Sequence, residues 1–461
     1  MKNFKRLFSL SLALLMALSL CACGKDAKPS GGSNSGNKTD SKEEEVIDLA
    51  GHEITIASWW DDLPKSDSND EKHKLRYARM KELEEEYNCT FKAVVVEQTQ
   101  ISSNLRAAVL AGEVFADVIF MRADSTDQFM KSDVFLPVSD YIDLTQRQYN
   151  QSINQQYTKD GKIYAFSTYE NNIESLIFFN KDIFSKVGLE EPYQLVKDKK
   201  WTWDVFKTYV AKATITSASS SIPEVYGFYG VNNGTGTTQV LKTLGTEFVH
   251  KDDKGVYTSA LRESELTKGL NFIREMNTTW TGVYKPSKDA SWSEPGQRFI
   301  DGKVAMVITG FTSAEKMKTK MTDKFGIVPL PLAKEGDDYI SISETHNVRV
   351  MQSNMDDKLA KKVATVYDKL MAPLYSEDEE KEKNISSYEQ VLCDDESVDI
   401  IVEMKAKENT LFNQISAAGN TYYKFFNDLR PALIGETTIA TVIATHESAL
   451  DEAIKATNNG E

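Results

Sequence analysis

Three short apolar stretches, separated by two amphipathic ones, constrain this chain more than any other feature. Residues 53–58 (Glu-Ile-Thr-Ile-Ala-Ser) alternate polar and apolar, which predicts a strand. Asn69 or Asp70 can cap a helix running to about Tyr87, with Met80, Leu83 and Tyr87 spaced i, i+3, i+7 on one face. Residues 91–96 are a β-branched run and predict a second strand. Residues 101–111 predict a helix with Ile101, Leu105 and Ala108 on one face and Gly112 as its stop. Residues 116–121 (Ala-Asp-Val-Ile-Phe-Met) predict a third strand. The order β-α-β-α-β demands a parallel sheet covered by helices, and these strands are apolar enough to be buried on both faces.

The segments before this unit have a different character. Lys2, Lys5 and Arg6 precede an apolar run at 7–20, too short for the roughly 20 residues of a membrane span. Residues 1–22 therefore read as a secretory signal peptide. The string Leu20-Cys21-Ala22-Cys23-Gly24 resembles a bacterial lipobox. Cys23 fits as the lipidated residue better than Cys21, because small Ala22 precedes it whereas bulky Leu20 precedes Cys21. Residues 23–46 are rich in Lys, Ser, Gly, Asn, Asp and Glu and are expected to form a flexible tether. No later apolar run approaches 18 residues, so lipid is the expected membrane anchor, on the extracellular face of a bacterial cell membrane.

At 461 residues the chain exceeds a single average domain. Lys+Arg number 54 against 69 Asp+Glu, for a net charge of −15. That balance argues against nucleic acid and against electrostatic docking on anionic lipid. Four Cys exclude a disulfide-dense scaffold. Once Cys21 and Cys23 are set aside, Cys89 and Cys393 remain, and both a disulfide and two separate thiols stay open.

Downstream, residues 162–166 and 176–180 predict strands, and Thr202 caps a helix over 203–213. Residues 226–236 read as loop, 266–277 as an amphipathic helix and 303–308 as a buried strand. Further strands are expected at 325–330 and 348–351, and helices from Lys358 almost to the end. Enzyme motifs are missing. There is no Gly-x-Ser-x-Gly elbow and no Walker A, and His446-Glu447 has no second His at the zinc-protease spacing. Residues 234–239 (Gly-Thr-Gly-Thr-Thr-Gln) hold only two glycines of a dinucleotide fingerprint and read as a flexible loop outside any strand-turn-helix setting. No metal, cofactor or catalytic residue is expected.

Taken in order, several stretches resemble the extracellular solute-binding proteins of ABC importers, family 1 (maltose-binding-protein-like). The match runs through residues 104–112 followed by 116–119, 160–166 (Asp-Gly-Lys-Ile-Tyr-Ala-Phe), 179–189, 202–204 (Thr-Trp-Asp), 299–306 and 326–331. Ser167 stands where the family usually has Pro, and Phe311 where a ligand-stacking Trp is known. The resemblance implies an α/β, two-lobed periplasmic-binding-protein-like (type II) fold with interleaved lobes and a hinge. The expected division is 1–22 signal, 23–46 tether, 47–158 and 327–373 first lobe, 159–326 and 374–461 second lobe. Hinge crossings are expected near 157–161, 324–327 and 371–374.

Open α/β sheets hold ligands at the carboxyl ends of their strands. The candidates there are Trp59, Trp60, Asp61 and Asp62 after the first strand, and Arg122 and Asp124 after the third. Glu170, Asn171 and Asn172 follow the 162–166 strand, Phe311 follows 303–308, and His346 precedes 348–351. Trp292 is a further aromatic candidate. The resemblance adds support for Asp124 and points to Asn232, Asn233 and Tyr423. Aromatics beside carboxylates and amides suit sugars, whose C–H faces stack on rings while hydroxyls take hydrogen bonds.

The resulting expectation is a monomeric, lipid-anchored receptor that captures a carbohydrate, an oligosaccharide above all, by hinge closure and passes it to an ABC permease. Two alternatives stand beside it: a lipid-anchored glycan-degrading enzyme, and the same fold binding a peptide, polyamine or phosphorylated polyol.

Overall fold

A computed structural model describes residues 47–127, 129–168, 173, 175–252, 256–343, 347–407, 409–411 and 419–459. The side chains of 123, 124, 343, 409–411, 419 and 420 are outside this description. The expected signal, tether and Cys23 lie outside the described residues.

The strand His52–Ser58 pairs in parallel with Cys89–Val95, Ile54 opposite Phe91, and with Val118–Arg122, Ile56 opposite Val118. Asn347–Val350 joins antiparallel outside Val118–Arg122, with Arg349 opposite Phe120. The sheet order is thus 347–350, 118–122, 52–58, 89–95. Strand alternation divides the apolar side chains between two faces. Ile54, Ile56 and Val118 meet Met80 and Leu83 of the helix Glu71–Glu86 and Val363 and Tyr367 of the helix Asp357–Met371. Ala57, Ile119 and Met121 meet Ile101 and Leu105 of the helix Ile101–Ala111 on the other face. Of the two candidate caps, Asp70 is the one used, accepting from the Lys72 amide. Gly112 ends the second helix at φ 73°, its N–H returning to the Ala108 and Val109 carbonyls.

A second core surrounds the strand Leu176–Asn180, all five residues of which are buried. Met306–Thr309 and Phe325–Pro329 flank it, both antiparallel. A bridge from Tyr226 to Val304 continues the layer to the parallel pair Phe228–Tyr229 and Val283–Tyr284. Trp201, Phe206 and Phe299 fill this core from the helical side, together with Ile401, Leu429 and Ile454 of the C-terminal helices. Gly326 is needed where its strand crosses the aromatics, because a Cβ there would sit 2.2 Å from the Tyr193 hydroxyl and 2.4 Å from the Phe179 ring.

The chain passes between the cores three times, and two passages differ from the sequence expectation. Tyr157, Ala165 and Phe166 all pack in the first lobe, and Ile173 is the first residue of the second core. The first passage therefore follows Phe166 rather than Tyr157. Residues 327–342, expected in the first lobe, belong to the second: Ile327, Val328, Leu330, Leu332 and Ile342 are in its core. The continuous burial of Phe325–Pro329 makes it an edge of that sheet, not a hinge strand. The return lies between Ile342 and Val348, and the third passage between Leu370 and Tyr388.

The segment expected to be a flexible loop at 234–239 is instead the start of a helix, Gly234–Thr243, that follows the strand Phe228–Tyr229. Asn233 caps it, and Gly236, Thr237, Thr238 and Gln239 are buried, so packing overrides their weak helix propensity. Cys89 and Cys393 are free thiols. Cys89 packs in the first core, where burial pushes its thiol up to about 11. Cys393 packs against the second. Among the described residues no helix is long and apolar enough to cross a membrane.

Candidate ligand-binding cleft

The parallel strands of the first lobe end in two loops that carry aromatic and charged groups. After His52–Ser58, the Ser58 hydroxyl and the Trp60 backbone bond to each other and turn the chain sharply. Trp59 and Trp60 meet edge to face, ring centroids 4.8 Å apart. Both rest on Phe120, at 5.2 and 4.8 Å. The Trp60 indole N–H donates to Asp62 Oδ1 at 3.1 Å.

Arg349 locks this arrangement from below. Its guanidinium lies 4.9 Å from the Phe120 ring centroid, a cation–π contact between residues in register on neighbouring strands. It donates to Asp62 Oδ2 at 3.2 Å and to Thr168 Oγ1 at 3.1 Å. The Arg349 side chain is only 4% exposed and that of Asp62 20%, so the pair is largely shielded from water. A shielded charge needs such pairing. One residue thus ties the Trp60–Asp62 loop to Thr168, which lies just beyond the last first-core residue before the first passage.

Other first-lobe candidates have different surroundings. Asp61 is exposed and is occupied by Lys65 at 3.0 Å and by the Leu63 amide. Arg122 lies opposite Asn347 at the end of its strand, its carbonyl accepting from Thr126. Asp124 lies in the short helix Ala123–Asp127, with its side chain outside the description. Glu170, Asn171, Asn172 and His346 lie outside the described residues.

The second lobe presents a cavity of about 560 Å3 at the carboxyl ends of Phe228–Tyr229 and Met306–Thr309. Gly230, Asn233, Trp292, Gly310 and Thr312 are among its walls. Asn233 accepts from the Gly236 amide at 2.7 Å and so orients the helix start toward the opening. Trp292 is 91% exposed, an unusual state for so large an apolar surface. Tyr229 also lines the wall; burial first, and then the Glu294 carboxylate, raise its phenol, which keeps it a neutral hydroxyl.

Three further candidates have surroundings of their own. Asn232 is buried and donates to the Ser287 carbonyl at 2.8 Å, which braces one loop against the next. Phe311 does not line the cavity, although Gly310 and Thr312 on either side do. Its ring packs edge-on to Tyr388 at 5.4 Å against the second core. Tyr423 is 62% exposed on the helix Gly419–Leu433, whereas Tyr422 packs on Phe426 at 4.4 Å.

Two supporting residues escaped the sequence reading. Asn277 accepts from the Val231 amide at 2.9 Å and donates to the Val231 and Leu433 carbonyls at 2.6 and 3.0 Å. It holds the cavity loop so closely that a Cβ on Gly230 would lie 2.3 Å from its Oδ1. Arg349 is the other. A lone charge between Val348 and Val350 is the only sequence trace it leaves.

The model of the bacterial extracellular solute-binding protein family matches residues 69–367. The chain belongs to that family. Its members bind solutes and are not enzymes, which removes the glycan-degrading alternative. No curated protein matches the chain in sequence. Solved structures share its two-lobed fold. M. tuberculosis UspC superposes with a TM-score of 0.64 at 12% identity, covering 87% of this chain and all (100%) of that one. The Listeria monocytogenes ABC substrate-binding protein Lmo0181, solved in complex with cycloalternan, gives 0.59 at 16%, covering 88% and 99%. The Arthrobacter globiformis cyclic α-maltosyl-1,6-maltose binding protein gives 0.60 at 16%, covering 89% and 99%.

Proposed function

We propose that this chain is the lipid-anchored substrate-binding protein of an ABC importer and that it captures an oligosaccharide between its lobes. One observation carries the reading. A braced aromatic group, Trp59 and Trp60 on Phe120, ends the first sheet, and an exposed Trp292 rims the cavity at the end of the second. A sugar chain offers apolar faces to such rings and hydroxyls to Thr312 and to the backbone around Gly310. Carbohydrate-binding proteins of the same fold, one of them in complex with cycloalternan, support this choice of ligand.

Of the candidates, Trp59, Trp60, Trp292, Asn233 and Tyr423 stand out as ligand contacts, with Asp62 orienting Trp60. Asp124, Arg122, Glu170, Asn171, Asn172 and His346 remain proposed contacts from the loops between. A ligand touching both lobes lowers the free energy of the closed form alone and so shifts the population toward it. A permease then reads the closed form of what is proposed to be a monomer.

A binder gains stability as RT ln(1 + [L]/Kd). Thermal melting with maltodextrins, cyclic glucans, peptides and polyamines is expected to show a rise of several degrees with at least one oligosaccharide and none with the other classes. A rise with peptides or polyamines alone would reverse the ligand assignment. The anchor is tested separately. Full-length chain expressed in a lipoprotein-processing bacterium is expected in the membrane fraction, and Cys23→Ser is expected to move it to the soluble fraction. Unchanged membrane association of that variant would rule out Cys23 as the lipid site.

A further inference from the structure

A larger cavity, of about 810 Å3, opens at the third passage between the cores and shares no lining residue with the 560 Å3 one. Both lobes build it. Arg76 and the 147–152 stretch form one wall, Tyr388 and Lys405 the other, and Pro373 and Leu374 of the passage run between them. Its charge runs against that of the chain. Lys72, Arg76, Arg147, Lys381, Lys405 and Lys407 line it, against the carboxylates of Glu377 and Glu380 alone among the described residues. Such an excess of one sign in a concave site concentrates ions of the other, here within a protein of net charge −15.

The arginines are already engaged. Arg147 pairs with Glu380 and with the Tyr375 carbonyl. Arg76 donates to the Leu370 and Ala372 carbonyls. Burial first, and Arg79 beside it second, bring Arg76 down to about 10. Lys407 is likewise paired, with Glu403 at 3.3 Å, and the lysine charges are compact points. Lys405 sits 5.3 Å from the Tyr388 ring centroid, which holds its stem against the second-lobe wall. Lys72 is exposed on the first-lobe helix Glu71–Glu86, and Lys381 on the helix Glu377–Val391 that begins within the passage.

We propose that this cavity binds a compact multivalent anion, a phosphate- or carboxylate-bearing small molecule, held by lysines from both lobes. Lysine suits such groups as a point charge, without the fixed fork that arginine imposes. An occupant bridging both walls also biases the hinge, and linkage then requires it to alter affinity at the aromatic cleft. That last clause rests on the solute-binding reading; anion binding itself does not.

The test uses the full chain without sugar, at ionic strength held constant with NaCl. Pyrophosphate and citrate are titrated while the melting temperature is read. A saturable rise is expected with at least one of them. The larger rise assigns the ligand to phosphate or to carboxylate chemistry. The double variant Lys381→Glu/Lys405→Glu is expected to weaken the apparent affinity at least tenfold. The exposed Lys72→Glu, which leaves that wall intact, is expected to weaken it several-fold from the first-lobe side. No saturable rise with either anion, or equal rises in the parent and both variants, would overturn the proposal.

Discussion

Replacing Arg349 with Met is expected to destabilise the protein by about 3 kcal/mol, the scale on which breaking a shielded ion pair from one side costs stability. The substitution leaves the Asp62 carboxylate with the Trp60 indole as its side-chain donor among the described residues, in a site where its side chain is only 20% exposed. It also removes the cation from Phe120 and the donor from Thr168. Asp62→Asn, which keeps one acceptor oxygen, for Trp60 or for Arg349, and leaves no unpaired carboxylate, is expected to cost less. The double variant Asp62→Asn/Arg349→Met is expected to recover part of the loss, because no unpaired carboxylate remains. Urea unfolding read by tryptophan fluorescence and by circular dichroism gives all four values. If Arg349→Met is as stable as the parent, Arg349 does not brace the Trp60–Asp62 loop.

Trp292→Ala is expected to act in the opposite way. The side chain is 91% exposed, so its loss removes almost no folded-state packing, and the melting temperature without ligand is expected to stay within about a degree. Affinity for the oligosaccharide found by melting is expected to fall at least tenfold, about 1.4 kcal/mol, as a stacking platform is lost. Calorimetric titration measures this directly. Unchanged affinity would remove Trp292 from the site.

These two residues also mark what was legible in the sequence. The first sheet was readable because Val118–Arg122 is buried almost throughout and appears as an apolar run, and the strands beside it alternate, while Asp70 and Gly112 punctuate the helices between them. The loops after those strands were readable for the same reason, and they brought Trp59, Trp60 and Asp62 into view. Arg349 was not, because its meaning depends on pairing across the sheet to Phe120 and on Asp62, 287 positions away. The helix Gly234–Thr243 was hidden by composition: two glycines and three threonines among its first five residues favour loop, and only burial against the second core makes them helical. Phe311 aligned with a stacking position, yet one residue of local geometry turns its ring to Tyr388 instead. The passages were misplaced because a hinge strand and a sheet edge have the same apolar pattern. The all-buried Phe325–Pro329 is told apart only by its partner, Leu176–Asn180.

The central claim is that one ligand is held by both lobes at the carboxyl ends of their strands. Hydrogen–deuterium exchange with and without the best oligosaccharide tests it most directly. Slower exchange is expected in two separate stretches at once, residues 58–62 in the first lobe and residues 229–236 with 309–312 in the second. Protection confined to one lobe, or to residues 371–388 beside the basic cavity, would contradict it.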